Sequence, residues 1–71
     1  MPLTMAEAGK TVRLMAIQSG RQLQARLAVM GLTPGIEIEV IRNDSHGHCI
    51  VAVRGSRVML GRGMAQKIIV R

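Results

Sequence analysis

Apolar and polar positions change their spacing along this chain, and the changes mark its elements. Thr4-Met5-Ala6-Glu7 has the form of a capping box, and Gly9 stops it, so one short N-terminal helical turn is expected. From Lys10 to Ile17 the pattern alternates. Val12, Leu14 and Ala16 share one face, and Arg13, Met15 and Ile17 share the other, which predicts strand one. Ser19 then reads as an N-cap with Gln22 three positions on. Leu23, Leu27 and Met30 follow at i, i+4 and i+7, the stripe of an amphipathic helix. Gly31 suits a left-handed helix end, with Leu32 folding back on the last turn.

Thr33-Pro34-Gly35-Ile36 has the residues of a type II turn. Ile36, Ile38 and Val40 alternate with Glu37 and Glu39 in strand two, and Asn43 to His48 form a polar loop. Cys49, Val51 and Val53 give strand three, and Gly55-Ser56 gives a two-residue hairpin turn of primed type. Val58 and Leu60 continue strand four. Gly61 to Ala65 is short and flexible, with room for one 3₁₀ turn, and Lys67 to Val70 is the last strand. The expected class is mainly β: a small five-stranded barrel with one α-helix inserted after strand one and a short N-terminal helical turn. A sheet that curls on itself also removes its edges.

Composition narrows the picture. Seventy-one residues hold one domain at most, spanning 1–71, and 48% hydrophobic residues supply its core and argue against disorder. The single cysteine, Cys49, excludes an internal disulfide and fits a reducing cytoplasm. No run approaches the length of a membrane span, and the first residues do not read as a signal peptide, so direct membrane insertion is not expected. A net charge of +6 calls for an anionic partner. The absence of Phe, Tyr and Trp weakens single-stranded nucleic-acid binding, which uses aromatic stacking, whereas duplex backbone binding needs only charge.

The chemistry-bearing groups are few. His46 and His48 can chelate together from the loop, whereas Cys49 on the opposite face does not join them. No metal is required, and weak Fe²⁺ or Zn²⁺ binding is the most this pair predicts. Gly61-Arg62-Gly63 lacks the spacing of a phosphate loop. Arg54, Arg57 and Arg62 surround the predicted hairpin as a basic edge, with Arg26 on the helix. Glu37 and Glu39, on one strand face, are expected to form cross-strand salt bridges with arginines. Met15, Met30, Met59 and Met64 read as core filler in a chain without aromatics, in preference to a soft docking surface. No nucleophile with a plausible base is visible, so an enzyme is not expected.

The order Arg26-Leu27, Met30-Gly31-Leu32-Thr33-Pro34-Gly35, Val53-Arg54-Gly55-Ser56, Leu60, Ala65 and Ile68-Ile69-Val70, with the early Leu3 and Gly9, resembles the FeoA family of bacterial ferrous iron uptake proteins. In that resemblance Leu27, Gly31, Leu32, Pro34, Gly35, Gly55, Leu60 and Ala65 are the structural motif positions. It implies an SH3-like barrel, similar to the C-terminal domain of iron-dependent repressors. It also implies a partner, the cytoplasmic G domain of the membrane transporter FeoB, and a cytoplasmic location peripheral to the inner membrane through that partner. The polar Asp44-Ser45-His46-Gly47-His48 loop departs from the family's Pro-Leu-Gly type. The expected function is a non-enzymatic interaction module that modulates assembly or GTP-dependent activity of FeoB. Two alternatives stand beside it: a small basic barrel that binds nucleic acid, on charge alone, and a metal-responsive homodimer bridged through His46 and His48.

Overall fold

A computed structural model describes residues 1–44 and 47–71. The order is a 3₁₀ turn (Leu3–Met5), β1 (Thr11–Ile17), α1 (Arg21–Val29), β2 (Glu37–Asn43), β3 (Cys49–Val53), β4 (Ser56–Leu60), α2 (Arg62–Ala65) and β5 (Ile68–Val70). All pairings are antiparallel, in the order β4-β3-β2-β1-β5. This is the small, mainly β barrel that the alternating pattern predicts.

β1 carries the curvature. Its first half, Thr11 to Arg13, pairs with β2, and its second half, Leu14 to Ile17, pairs with β5. The register slips between Leu14 and Ala16. A bulge there bends the strand and turns Ala16 outward. The expected Val12-Leu14-Ala16 face therefore ends at Leu14, and half-buried Ile17 packs against the core where Ala16 was expected.

The core consists of Leu, Ile, Val and Ala from every layer, with Leu3, Leu14, Leu27, Leu32, Ile38, Leu60 and Ile68 fully enclosed. Methionines are not its filler. Met1, Met5, Met15, Met30 and Met59 are exposed, and only Met64 packs against the core as a partly buried side chain. Branched aliphatics fill a barrel of this size with fewer rotamers lost, which leaves the flexible thioethers outside.

Two expected caps are replaced. The 3₁₀ turn starts from Pro2, whose φ of −64° suits a helix entry, and no side chain caps it. Asn43, at the end of β2 and distant in sequence, anchors this turn. Its Nδ2 donates to the carbonyl oxygens of Leu3, Thr4 and Ala6 at 3.1, 3.2 and 2.6 Å. α1 starts from Gly20, with no side-chain cap. Ser19 is tied by its main chain instead, because Gln24 Nε2 reaches back to its carbonyl oxygen at 2.8 Å.

The other end of α1 follows the sequence closely. Gly31 has φ +88°, its N–H donates to Ala28 O at 2.9 Å, and Leu32 N–H donates to Leu27 O at 2.9 Å. This paired pattern is the Schellman motif, and it plunges Leu32 into the core. Gly35 has φ +94°, and Ile36 N–H donates to Thr33 O at 3.2 Å, as a type II turn requires. The β3–β4 turn lies one residue earlier than expected. Val53 pairs with Ser56, so the turn residues are Arg54 and Gly55, with φ of 52° and 80°. Two positive φ values make it type I′, the turn that matches strand twist. The Gly61–Ala65 stretch contains a single α-helical turn, fixed by fully buried Ala65.

Candidate functional site

The surface of this barrel that stands out is the end where α1 meets the β3–β4 hairpin. α1 is only nine residues long and touches the core through Leu27 and, partly, Leu23. A helix that short is marginal alone in water, so its attachment depends on this contact and on the Gly31–Leu32 lock. A Cβ at Gly31 would lie 3.4 Å from Val53 Cγ1, which sets the helix end against the last residue of β3.

Between α1 and the bulged half of β1 runs an open groove of about 480 Å³. Met15, Ile17, Ala25, Ala28 and Pro34 are among its walls. Alternation already points Met15 outward, and the bulge adds Ala16 to it, beneath a helix held down mainly by Leu27. Val29, the most exposed large apolar side chain at 88%, stands beyond its rim with exposed Met30.

Charge is distributed unevenly. Of the four acids, Glu37 pairs with Arg13 at 3.2 Å, and Asp44 pairs with Arg42 at 3.0 Å. The first of these is the cross-strand bridge expected for Glu37, and Arg13 Nη1 also holds Gly35 O at 2.6 Å. Neither α1 nor the β3–β4 hairpin contains an acid. Arg26 on α1, Arg54 in the turn and Arg57 on β4 are exposed and have no ion pair among the described residues. Arg62 does not join them around the hairpin. It lies beyond the other end of β4 and lines a small polar pocket with Thr4, Asn43, Asp44 and Gly47. The reason is geometric: β4 is a full extended strand, and five residues carry its far end about 13 Å from the turn.

Of the proposed metal pair, His46 lies outside the described residues, and His48 is exposed. Cys49 beside it is 2% exposed, and burial pushes its thiol pKa up. Imidazole and thiol therefore face apart, as alternation predicts. Among the described residues no three His, Cys, Asp or Glu side chains converge. No helix among them is long and apolar enough to cross a membrane.

Asn43, which reads as a loop residue from the sequence, ends β2 and anchors the N-terminal turn. Its three acceptors lie 37 to 40 positions away, and no local pattern reports such a contact.

Comparison with known proteins fits this architecture. The chain is 39% identical over 69 residues to a candidate Fe(2+) transport protein A of Methanocaldococcus jannaschii, covering 97% of this chain and 83% of that protein. It superimposes on the crystal structure of an iron uptake regulatory protein, FeoA, with a TM-score of 0.93 and 34% identity, covering 100% of this chain and 95% of that one. A manganese-dependent transcriptional repressor shares the fold, at a TM-score of 0.85 and 24% identity, over 96% of this chain and 39% of its own. The FeoA domain model matches residues 1–71. With the Schellman glycine, the type II turn and the bent β1 in their places, the chain belongs to the FeoA domain family.

Proposed function

We propose that this chain is a non-enzymatic accessory module of ferrous iron transport that docks on the cytoplasmic G domain of FeoB. There it biases assembly of the transporter or its GTP turnover. Two observations carry this reading: an apolar groove beside α1, and arginines at positions 26, 54 and 57 that are exposed and have no ion pair among the described residues. Such a surface fits protein recognition: apolar area for affinity and positive charge to steer an acidic partner. Its family supports the iron connection through the Fe(2+) transport protein relative.

Docking changes the transporter only if one of its states binds this surface better than another. This reading requires no iron site in the chain itself. The test is titration of isotope-labelled protein with the FeoB G domain, followed in the amide spectrum. Shifts confined to Gln22–Met30 and the hairpin around Arg54 and Arg57 are expected. An unchanged spectrum at concentrations near 0.1 mM, together with unchanged GTP turnover, would refute docking on that domain.

A further inference from the structure

The sheet has two outer strands, and only one of them is left open. At β5, Met1 continues the ladder: its amino group donates to Val70 O at 2.9 Å, and Val70 N–H donates to Met1 O at 2.7 Å. Pro2 bridges Ile69 beside it. Among the described residues β4 pairs with β3 alone. The expectation that curling removes the edges therefore fails on this side.

The hairpin length decides which groups are free. In a two-residue type I′ hairpin, the flanking pair Val53–Ser56 exchanges both hydrogen bonds. Alternation then turns the main-chain groups of Val58 and Leu60 toward β3, and those of Arg57 and Met59 away from the sheet. Among the described residues nothing accepts from or donates to those outward groups. They present two N–H donors and two C=O acceptors with the spacing of a ladder. On the outer face of the same strand the side chains of Arg57 and Met59 are exposed, and on the inner face Val58 is half-buried at the rim of the core.

We propose that the β4 edge is a strand-addition site for an extended acidic segment, which lies antiparallel to β4 and bonds to the main chain of Arg57 and Met59. This rests on the interaction-module reading and adds the mode and chemistry of the contact. The segment places an acid across from Arg57, a second acid toward Arg54, and apolar side chains against Met59 and Val58. Charge selects this occupant over a second copy of the chain. Two β4 edges would bring two sets of Arg54 and Arg57 together on molecules of net charge +6, and like charges across a ladder repel. The arginines therefore protect the edge against self-association while they recruit an acidic strand.

The probe is acetyl-Val-Val-Glu-Val-Glu amide, titrated into the full labelled chain at low salt. Its control is the same peptide N-methylated at the first Val and first Glu, the residues that face Met59 and Arg57. Shifts centred on the amides of Arg57 and Met59 are expected, with binding weakened about tenfold by methylation, since two main-chain bonds are lost. Arg57→Pro removes one outward N–H and leaves the β3 ladder intact, so the variant is expected to fold by circular dichroism and to bind the plain peptide more weakly. Equal affinity of the two peptides, or no shift at this edge at about millimolar peptide, overturns the proposal. The FeoB titration is read separately: peptide binding without G-domain binding overturns the partner and keeps the edge, and the reverse overturns the edge alone.

Discussion

Replacing Asn43 by Ala tests whether one amide holds the N-terminal turn to the barrel. Its Nδ2 faces three carbonyl oxygens, which fixes that atom as the donor. Leu3 O keeps another partner, the N–H of Ala6 at 3.0 Å. Thr4 O and Ala6 O have no other among the described residues, and Ala6 is 4% exposed. The substitution thus removes two useful hydrogen bonds and leaves two acceptors at a largely buried place, for a cost of about 2–3 kcal/mol. In a domain of this size that lowers the melting temperature by roughly 10–20 °C. The assay is urea or thermal unfolding by far-ultraviolet circular dichroism, because the chain has no Trp or Tyr to report by fluorescence. Asn43→Asp sharpens the test. Its carboxylate would face the same three oxygens without a donor, so at neutral pH it should be less stable than the Ala variant. Protonation restores one O–H donor. The folded state therefore raises this carboxyl's pKa, and stability should be regained as pH falls and lost again as it rises. An Asn43→Ala protein within about 0.5 kcal/mol of the parent, the range of ordinary surface changes, would refute the reasoning.

Two further outcomes follow from local geometry. Gly31→Ala puts a side chain at φ +88° and a Cβ 3.4 Å from Val53 Cγ1, so a loss of about 1–2 kcal/mol is expected, read as a lower urea midpoint with loss of α1 signal. Cys49, buried with its pKa raised above 9.0, should react with iodoacetamide far more slowly than the unfolded chain at pH 8, and rapid labelling of the folded protein would contradict its burial. Above that ordinary thiol value the unfolded chain releases its proton first, so stability should fall as pH rises past 9.0, and Cys49→Ala should remove that slope.

The elements most legible in the sequence are those whose geometry a few adjacent residues enforce. Gly31 and Leu32 specify the end of α1, and Pro34 and Gly35 specify the turn into β2, because positive φ and a fixed φ are local demands. Strict alternation in Cys49–Val53 gives β3 its inward Cys49, Val51 and Val53. Cap assignments failed where a distant or later group took over. Gln24 ties down Ser19, and Asn43 anchors the turn that Thr4 and Glu7 were expected to close. Arg26, Arg54, Arg57 and Arg62 are exposed, as their charge leads one to expect. Their grouping was not legible, since the length of β4 separates Arg62 from Arg54 and Arg57.

The sequence by itself determined a small β barrel with one inserted helix, its turns, its aliphatic core and its FeoA kinship. Those depend on periodicity and on glycine and proline positions, which act within a few residues. The tertiary structure alone decided where the surface is open. A bulge at β1 turned Ala16 into the groove, Met1 covered one edge of the sheet, and among the described residues no strand covers the outer side of β4. Each of these depends on which strands meet and in what register. Register is a balance of long-range pairings, and no short stretch of chain encodes it.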